Sequence, residues 1–225
     1  MDKSTVFSNP DWAQTRLGTS IEIVSSQPLE NVKEPILLIG GVHGDEPEGV
    51  ELVERTLARI CAAKKSQWKS DWVAIPVWNV DGYKSQNRVN AGGVDLNRNF
   101  PSPNWSTEAK APRYFPGESA ASEPETRALV KLIQDIRPRL IIHCHSWEPC
   151  IVYTADHAPK EAEILAETTG YRLSGTIGYD TPGSLGQWGW HTMKTPVICI
   201  EEQEKVDLST IWPRFASAME RIFLI

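Results

Sequence analysis

Short apolar runs alternate along this chain with segments of helical periodicity. Five runs have the length and apolar content of β-strands, and the later ones are apolar throughout, as in a sheet covered on both faces. These predicted strands are residues 21–24, 35–39, 72–77, 140–142 and 196–200. Strands that alternate with helices are typical of a layered α/β fold, and in such folds functional groups follow the carboxyl ends of the strands.

Three segments carry an apolar face with helical spacing. Their apolar residues are Val50, Val53, Leu57 and Ile60; Leu129, Leu132, Ile133 and Ile136; and Leu208, Ile211, Trp212, Phe215, Met219, Ile222 and Phe223. Ser122 and Glu125 have the spacing of a capping box, which predicts that the second helix opens there. The stretch 79–122 is rich in Asn, Gly and Pro and lacks periodicity, and a loop of that length is usually functional.

Composition narrows the class of protein. A chain of 225 residues with 40% hydrophobic content can bury one sizeable core, so we expect a single domain over 1–225. The net charge of −6 argues against a nucleic-acid partner. No apolar run approaches membrane-spanning length, and residues 1–12 lack the apolar core of a leader, so we expect a cytoplasmic protein without a membrane partner. Cys61, Cys144, Cys150 and Cys199 lack CxxC spacing, which favours reduced thiols.

His43 and Glu46 lie three positions apart in a Gly-rich turn directly after predicted strand 35–39. An imidazole and a carboxylate in this setting supply part of a catalytic zinc site, which needs one more protein ligand and an open position for water. The segment 140–145, which begins as a predicted strand, contains His143 and His145. Their side chains point to the same face, because successive side chains of a strand alternate between its two faces. We predict His143 as the ligand, since it is nearer the apolar run and better held, and His145 as a pocket or supporting residue.

Two further features carry chemistry. Glu201 follows the apolar strand 196–200, where a partly dry environment would raise the pKa of its carboxyl and suit it to accept and return a proton. Arg88 and Arg98 lie in the Gly-rich, polar stretch 87–101. Arginine binds carboxylates and developing oxyanions in a bidentate manner, so both are candidates for substrate contact.

The HxxE pair, the Asn97-Arg98 pair, a strand-end histidine and a strand-end glutamate, in that order, resemble the zinc carboxypeptidase superfamily, the funnelins, over nearly the whole chain. Within that superfamily, segments 41–46, 93–101 and 178–188 are similar to the bacterial murein peptide amidases. Those enzymes cleave the γ-D-glutamyl-meso-diaminopimelate amide bond of cell-wall peptides during recycling. The resemblance implies a single-domain α/β/α sandwich with a mixed, mostly parallel central sheet.

The resemblance also implies a metal and a mechanism. One Zn²⁺ ion would bind to His43, Glu46 and His143. Glu201 would activate a water molecule on the zinc and then protonate the leaving amine, while Arg88 would polarise the scissile carbonyl and stabilise the oxyanion.

For the substrate, the resemblance implies a small peptide with a free terminal carboxylate, such as the murein tripeptide. Asn97 and Arg98 would hold that carboxylate, and Tyr179 would correspond to a mobile tyrosine that covers it. Asp180 and Gln187, in the same loop as Tyr179, are candidates to bind the zwitterionic far end of diaminopimelate.

Three other functions share parts of this pattern. A metallocarboxypeptidase that releases C-terminal residues from ordinary peptides would have the same catalytic residues. An aspartoacylase-type deacylase of N-acyl amino acids would share the HxxE pair and the strand-end glutamate. A non-catalytic peptide-binding relative would lack the base, and the presence of Glu201 argues against it.

Overall fold

An eight-stranded sheet forms the centre of the molecule in a computed structural model that describes residues 6–225. Residues 1–5, part of the segment considered above as a possible leader, lie outside the described residues. The strands are β1 (Phe7–Gln14), β2 (Ser20–Ser25), β3 (Ile36–Ile39), β4 (Trp72–Ile75), β5 (Leu140–Trp147), β6 (Cys150–Thr154), β7 (Arg172–Ser174) and β8 (Val197–Gln203). Their order across the sheet is β1-β2-β4-β3-β5-β8-β6-β7.

The sheet is mixed. Strands β4, β3, β5 and β8 are parallel neighbours, β2 and β6 run antiparallel to them, and β7 is parallel to β6. The predicted α/β fold with a mixed central sheet is therefore confirmed. Every predicted strand is present, whereas β1, β6 and β7 were not predicted. Strand β1 lies at the edge of the sheet with mostly exposed residues, so it has no apolar pattern to detect.

Helices cover both faces of the sheet. They are α1 (Pro47–Ala62), α2 (Val80–Lys84), α3 (Pro124–Ile136), α4 (Lys160–Thr169), α5 (Leu185–His191) and α6 (Ile211–Phe223). Side chains of α1, α4 and α6 share one apolar core, and those of α3 and α5 share the other. Because strand side chains alternate, Ile36 and Leu38 of β3 enter the first core, and Leu37 and Ile39 enter the second. None of the helices among residues 6–225 is long and apolar enough to cross a bilayer.

The start of α3 differs from the predicted capping box. The helix begins at Pro124 with Glu123 as its N-cap, and no side chain caps it. Ser122 instead accepts a hydrogen bond from Asn99 Nδ2 at 3.0 Å and donates one to Glu123 Oε1 at 2.9 Å. The capping-box prediction was wrong because Ser122 anchors the preceding loop, while proline, with its fixed φ, occupies the first helical position.

Strand register determines which side chains meet at the sheet edge. Ile39, the last residue of β3, pairs with His143, and His145, two residues further along β5, pairs with Glu201 of β8. After β3 the chain turns at Gly40 and Gly41. A Cβ at residue 40 would lie 2.4 Å from the carbonyl oxygen of Pro76, so the turn approaches the neighbouring chain too closely for any side chain.

Candidate metal centre and active-site cleft

Three side chains that could bind a metal converge beyond the carboxyl end of β3, beside the last residues of β5. Ligand atoms of His43, Glu46 and His145 lie within 4.8 Å of one another, and all three residues are buried. His43 Nδ1 is 2.7 Å from Glu46 Oε1, His145 Nδ1 is 2.7 Å from Glu46 Oε2, and the two Nδ1 atoms are 3.0 Å apart. Two imidazoles and one carboxylate thus face a common point.

His143 does not have the position predicted for it. Its Nδ1 lies 2.8 Å from His145 Nε2, on the side of the His145 ring away from Glu46. The prediction chose His143 as the ligand and His145 as the supporting residue, and the structure reverses these places. The reason is register: His143 pairs with Ile39 inside the sheet, whereas His145 lies past the end of β3, level with the turn that carries His43.

Each histidine that faces Glu46 has a hydrogen-bond partner on the far side of its ring. The Nε2 atom of His43 is 3.1 Å from the carboxylate of Asp95, which can accept a proton from Nε2 and so leave the Nδ1 lone pair free for a cation. The Nε2 proton of His145 can be donated in the same way to His143 Nδ1, since burial and the neighbouring histidine His145 hold the pKa of His143 well below its usual value. With these partners, both rings can present an Nδ1 lone pair to a cation bound beside Glu46.

Asp95 is a functional residue that the sequence analysis missed. It is fully buried, and besides His43 it accepts hydrogen bonds from Arg88 Nε at 3.1 Å and Arg88 Nη2 at 3.0 Å. Burial opposes ionisation of Asp95, but the charges of His43 and Arg88 outweigh it and hold its pKa far below the usual value. Its only sequence signal was its position two residues before the Asn97-Arg98 pair.

Arg88 joins the metal-binding cluster to the cleft. Its Nη1 donates to Glu46 Oε1 at 3.1 Å, so with the two bonds to Asp95 it uses three of its five N–H donors. The remaining donors belong to a side chain that lines the cleft. Arg88 is thus placed both to orient Glu46 and to contact a ligand.

Glu201, the cross-strand partner of His145, lines the same cavity as the histidines. Its side chain is 5% exposed, and burial together with the charge of Glu46 raises the pKa of its carboxyl to about 8. Cys199 Sγ donates a hydrogen bond to Glu201 Oε1 at 3.3 Å. Glu202 points to the opposite face of β8, where it accepts a hydrogen bond from the Tyr171 hydroxyl and pairs with Arg214. Only the first of these two adjacent glutamates faces the cleft.

The histidines, Glu46, Arg88 and Glu201 line one cavity of about 390 Å³. Asn97 and Arg98 also line it, held by the short turn Leu96–Arg98, and both are more than nine-tenths buried. Asn97 Oδ1 accepts a hydrogen bond from the backbone N–H of Leu185 at 2.9 Å, which leaves its amide N–H groups for other partners. The Tyr114 ring, which the sequence analysis missed, lies beneath the guanidinium groups of Arg88 and Arg98 at 5.2 and 5.9 Å.

The loop after β7 forms the rim of this cavity. Tyr179 is 41% exposed, its ring is 6.0 Å from that of Trp147, and it lines the cavity. Its role over a substrate carboxylate stays a prediction. Asp180 faces a neighbouring cavity beside Lys110, and Gln187 accepts a hydrogen bond from Asn104. Neither Asp180 nor Gln187 is among the residues that line the cavity of Glu201.

Comparison with known proteins decides the family. The zinc carboxypeptidase (peptidase M14) family model matches residues 11–185. The chain belongs to the zinc carboxypeptidase family. Glu201 lies beyond the matched region, so its assignment depends on its position in the cleft.

Within the family, the chain is 34% identical over 170 residues to murein peptide amidase A of Escherichia coli K12, a match that covers 69% of this chain and 66% of that protein. The chain therefore spans slightly less than two thirds of that relative. Its identity to murein peptide amidase A of Vibrio campbellii is 31% over 180 residues, covering 73% of this chain and 68% of that protein.

Solved structures agree with this fold. The murein-tripeptide amidase of Escherichia coli O157 superimposes with a TM-score of 0.79 at 28% identity, over 96% of this chain and 90% of that one. Carboxypeptidase A of Helicoverpa armigera gives a TM-score of 0.78 over 97% of this chain and 67% of that one; at 19% identity, this likeness is one of fold.

The residues of this chain fit the zinc ion that the family name implies. Two imidazole lone pairs and a carboxylate converge, which is the donor set of one class of catalytic zinc sites. The two Nδ1 atoms lie 3.0 Å apart, and each is 2.7 Å from an oxygen of the Glu46 carboxylate. The cluster is therefore suited to bind a divalent ion.

Proposed function

We propose that this chain is a zinc-dependent hydrolase that cleaves the γ-D-glutamyl-meso-diaminopimelate amide bond of murein peptides. One observation carries the hydrolase assignment: the cluster of His43, Glu46 and His145 shares a single cavity with the buried carboxyl of Glu201 and with the buried Arg98. The substrate assignment is supported by the names of the two amidases that the chain resembles.

His43, Glu46 and His145 would hold one zinc ion, with His145 in place of His143. A zinc ion so placed supplies Lewis-acid polarisation of the amide carbonyl and lowers the pKa of water. With zinc bound, Asp95 would accept the Nε2 proton of His43, and His143 would accept that of His145. The unused N–H donors of Arg88 stabilise the negative charge that develops on the carbonyl oxygen.

Glu201 moves the protons in this mechanism. Its carboxylate accepts a proton from the attacking water and then gives it to the departing amine, so that no covalent enzyme intermediate is needed. Burial suits this double role, because in the metal-free site it raises the carboxyl pKa to about 8, whereas a bound zinc ion would favour the ionised carboxylate that accepts the first proton.

Substrate binding would use the far side of the cavity. The α-carboxylate of the leaving diaminopimelate would bind to Arg98 and to the amide N–H groups of Asn97. Thr154, Thr181 and Ser184 also line the cavity and give it a hydroxyl-rich wall without charge. Such a wall offers hydrogen bonds to a polar, net-neutral side chain, as the distal zwitterion of diaminopimelate is. The cytoplasmic location expected above stays a prediction.

The decisive experiment is a substrate panel on the purified, zinc-loaded protein, with products identified by mass spectrometry. We expect release of diaminopimelate from L-alanyl-γ-D-glutamyl-meso-diaminopimelate, loss of turnover after chelation and recovery with zinc. Amidation of the α-carboxylate of diaminopimelate should abolish turnover. Preference for α-linked peptides would instead select an ordinary carboxypeptidase, and turnover of N-acyl amino acids alone would select a deacylase.

The adjacent glutamates provide a matched pair of variants for the same assay. Glu201→Gln should lower kcat by about 100-fold to 10,000-fold, the usual contribution of a general base, without loss of bound zinc. Glu202→Gln should retain catalysis, since Glu202 binds Tyr171 and Arg214 on the other face. An equal loss of kcat in both variants would contradict a specific role of Glu201 in proton transfer.

A further inference from the structure

A second set of metal-binding atoms lies beside the first. Ligand atoms of His143, His145 and Cys199 also lie within 4.8 Å of one another. Cys199 pairs with His143 across β5 and β8, and residues paired in this way point to the same face of the sheet. His143 and Cys199 both line the cavity, so a solvent-borne ion can reach them.

We propose that His143, His145 and Cys199 form a second cation site that binds soft divalent ions, Cd²⁺ above all and Zn²⁺ in excess, and that its occupation opposes occupation of the first site. One thiolate and two imidazoles favour soft or borderline ions over Mg²⁺ and Ca²⁺. The first cluster contains a carboxylate and no sulfur. The two sites therefore differ in their preferred metal.

Cys199 is a protonated thiol when no cation is bound. Burial, reinforced by the Glu201 carboxylate, raises the pKa of the Cys199 thiol well above its usual value. An incoming cation must therefore displace the thiol proton to solvent as the metal–sulfur bond forms. Displacement also removes the hydrogen bond from Cys199 to Glu201 and brings a cation next to that carboxylate.

His145 couples the two sites because they use opposite nitrogens of its ring. Its Nδ1 faces Glu46 and His43, and its Nε2 faces His143. A neutral imidazole has one free lone pair, with the proton on the other nitrogen. A cation held by Nε2 requires the proton on Nδ1, and that tautomer cannot serve the first cluster. Binding at the second site should therefore weaken binding at the first.

Cys144 supplies the matched control. It is buried in the same strand between His143 and His145, but its side chain belongs to the apolar core on the other face of the sheet. Any effect of thiol removal that comes from strand destabilisation should appear in Cys144→Ala as well as in Cys199→Ala. An effect on cation binding should appear only in Cys199→Ala.

The test is a titration of metal-free protein with Cd²⁺, followed by the ultraviolet thiolate-to-cadmium charge-transfer band. This band cannot arise from the first cluster, which has no thiolate, and it does not depend on the proposed enzymatic function. We expect the band in the wild type and in Cys144→Ala, and its loss in Cys199→Ala. In His143→Gln, the Cd²⁺ concentration for half-saturation should rise by about tenfold or more. Prior loading with zinc should also raise it.

The following results would contradict the proposed second cation site. A band that persists in Cys199→Ala, or that disappears equally in Cys144→Ala, would overturn the assignment. A band that is insensitive to both His143→Gln and prior zinc would overturn the shared use of His145. Should Cys199→Ala fail to fold, as judged by circular dichroism, His143→Gln and the zinc competition decide the question on the wild-type thiol.

Discussion

His43 and His145 each use one ring nitrogen for positioning and present the other to Glu46. Asp95 positions the first ring and His143 the second. Loss of a residue that binds the metal should reduce zinc affinity more than loss of a residue that only holds the ligand's ring in place. This difference in affinity can be measured.

Zinc affinity should separate His145 from His143. We expect His145→Ala to lose zinc almost completely, because a direct ligand is gone, whereas His143→Ala should weaken zinc binding by about 10-fold to 100-fold, as is typical when a ligand loses its hydrogen-bond partner. Competition with a chromophoric chelator measures both constants. A larger loss in His143→Ala than in His145→Ala would restore the original prediction that His143 is the ligand.

The pH dependence of stability should report Glu201. The raised pKa of about 8 means that the folded, metal-free protein keeps a proton that the unfolded chain releases near pH 4.5. Between these values the folded state binds more protons, so this group lowers stability by up to about 1.4 kcal/mol per pH unit as pH rises, and the effect levels off above pH 8.

Glu201→Gln removes this titration. The stability of the metal-free variant relative to the wild type should therefore increase from pH 5 to pH 8 and then stay constant, as measured by urea unfolding in the presence of chelator. A difference that is independent of pH would show that Glu201 titrates near its ordinary value.

At the scale of elements, the loops that follow the strands hold the substrate-binding residues through close backbone contacts. Gly183 has a φ of +71°, and a Cβ there would lie 2.0 Å from the carbonyl oxygen of Arg98. Its own carbonyl accepts a hydrogen bond from the N–H of Phe100 at 2.9 Å. The loop before α5 and the Leu96–Arg98 turn are therefore packed backbone to backbone.

Gly183→Ala should disturb this contact and displace Arg98. We expect kcat/KM for the murein tripeptide to fall by up to about 100-fold, because small displacements of a positioning group have effects of that size. Gly170→Ala is the control: it has a similar positive φ at the end of α4, but its Cβ would meet nothing within 4 Å. It should cost about 1–3 kcal/mol of stability and leave kcat/KM unchanged. A similar loss of kcat/KM in both variants would argue against a specific effect on Arg98.

For the whole molecule, the metal links parts of the chain that are far apart in sequence. His43 and Glu46 follow β3, and His145 lies in β5 about a hundred residues later. An ion bound by all three stabilises only the folded state, because the unfolded chain does not bring them together.

Thermal unfolding should therefore depend on zinc. At a free zinc concentration 100 times Kd, binding contributes about 2.7 kcal/mol, which for a domain of this size corresponds to a Tm increase of roughly 5–10 °C. Calorimetry with zinc and with chelator measures this difference. His145→Ala should show no such zinc-dependent shift. A wild-type Tm that is the same with zinc and with chelator would contradict the proposed site.

The apolar runs of the sequence were sufficient to predict the central strands, because residues buried on both faces of a sheet cannot be polar without cost. They could not reveal β1, whose residues are mostly exposed at the sheet edge. The sequence likewise predicted part of the candidate site. Residue types and spacing indicated His43, Glu46, Arg98 and Glu201, all of which line one cavity.

Sequence alone determined that this protein has an α/β fold, that its reactive groups follow buried strands, and which residue types are available for zinc and for proton transfer. Those properties are local, because they depend on periodicity and on the order of residues along the chain. Only the tertiary structure placed His145, and not His143, beside His43 and Glu46, and revealed the contact of Asp95 with His43 and Arg88. Both depend on register between strands that are distant in sequence, and a shift of two residues along one face leaves the sequence pattern unchanged.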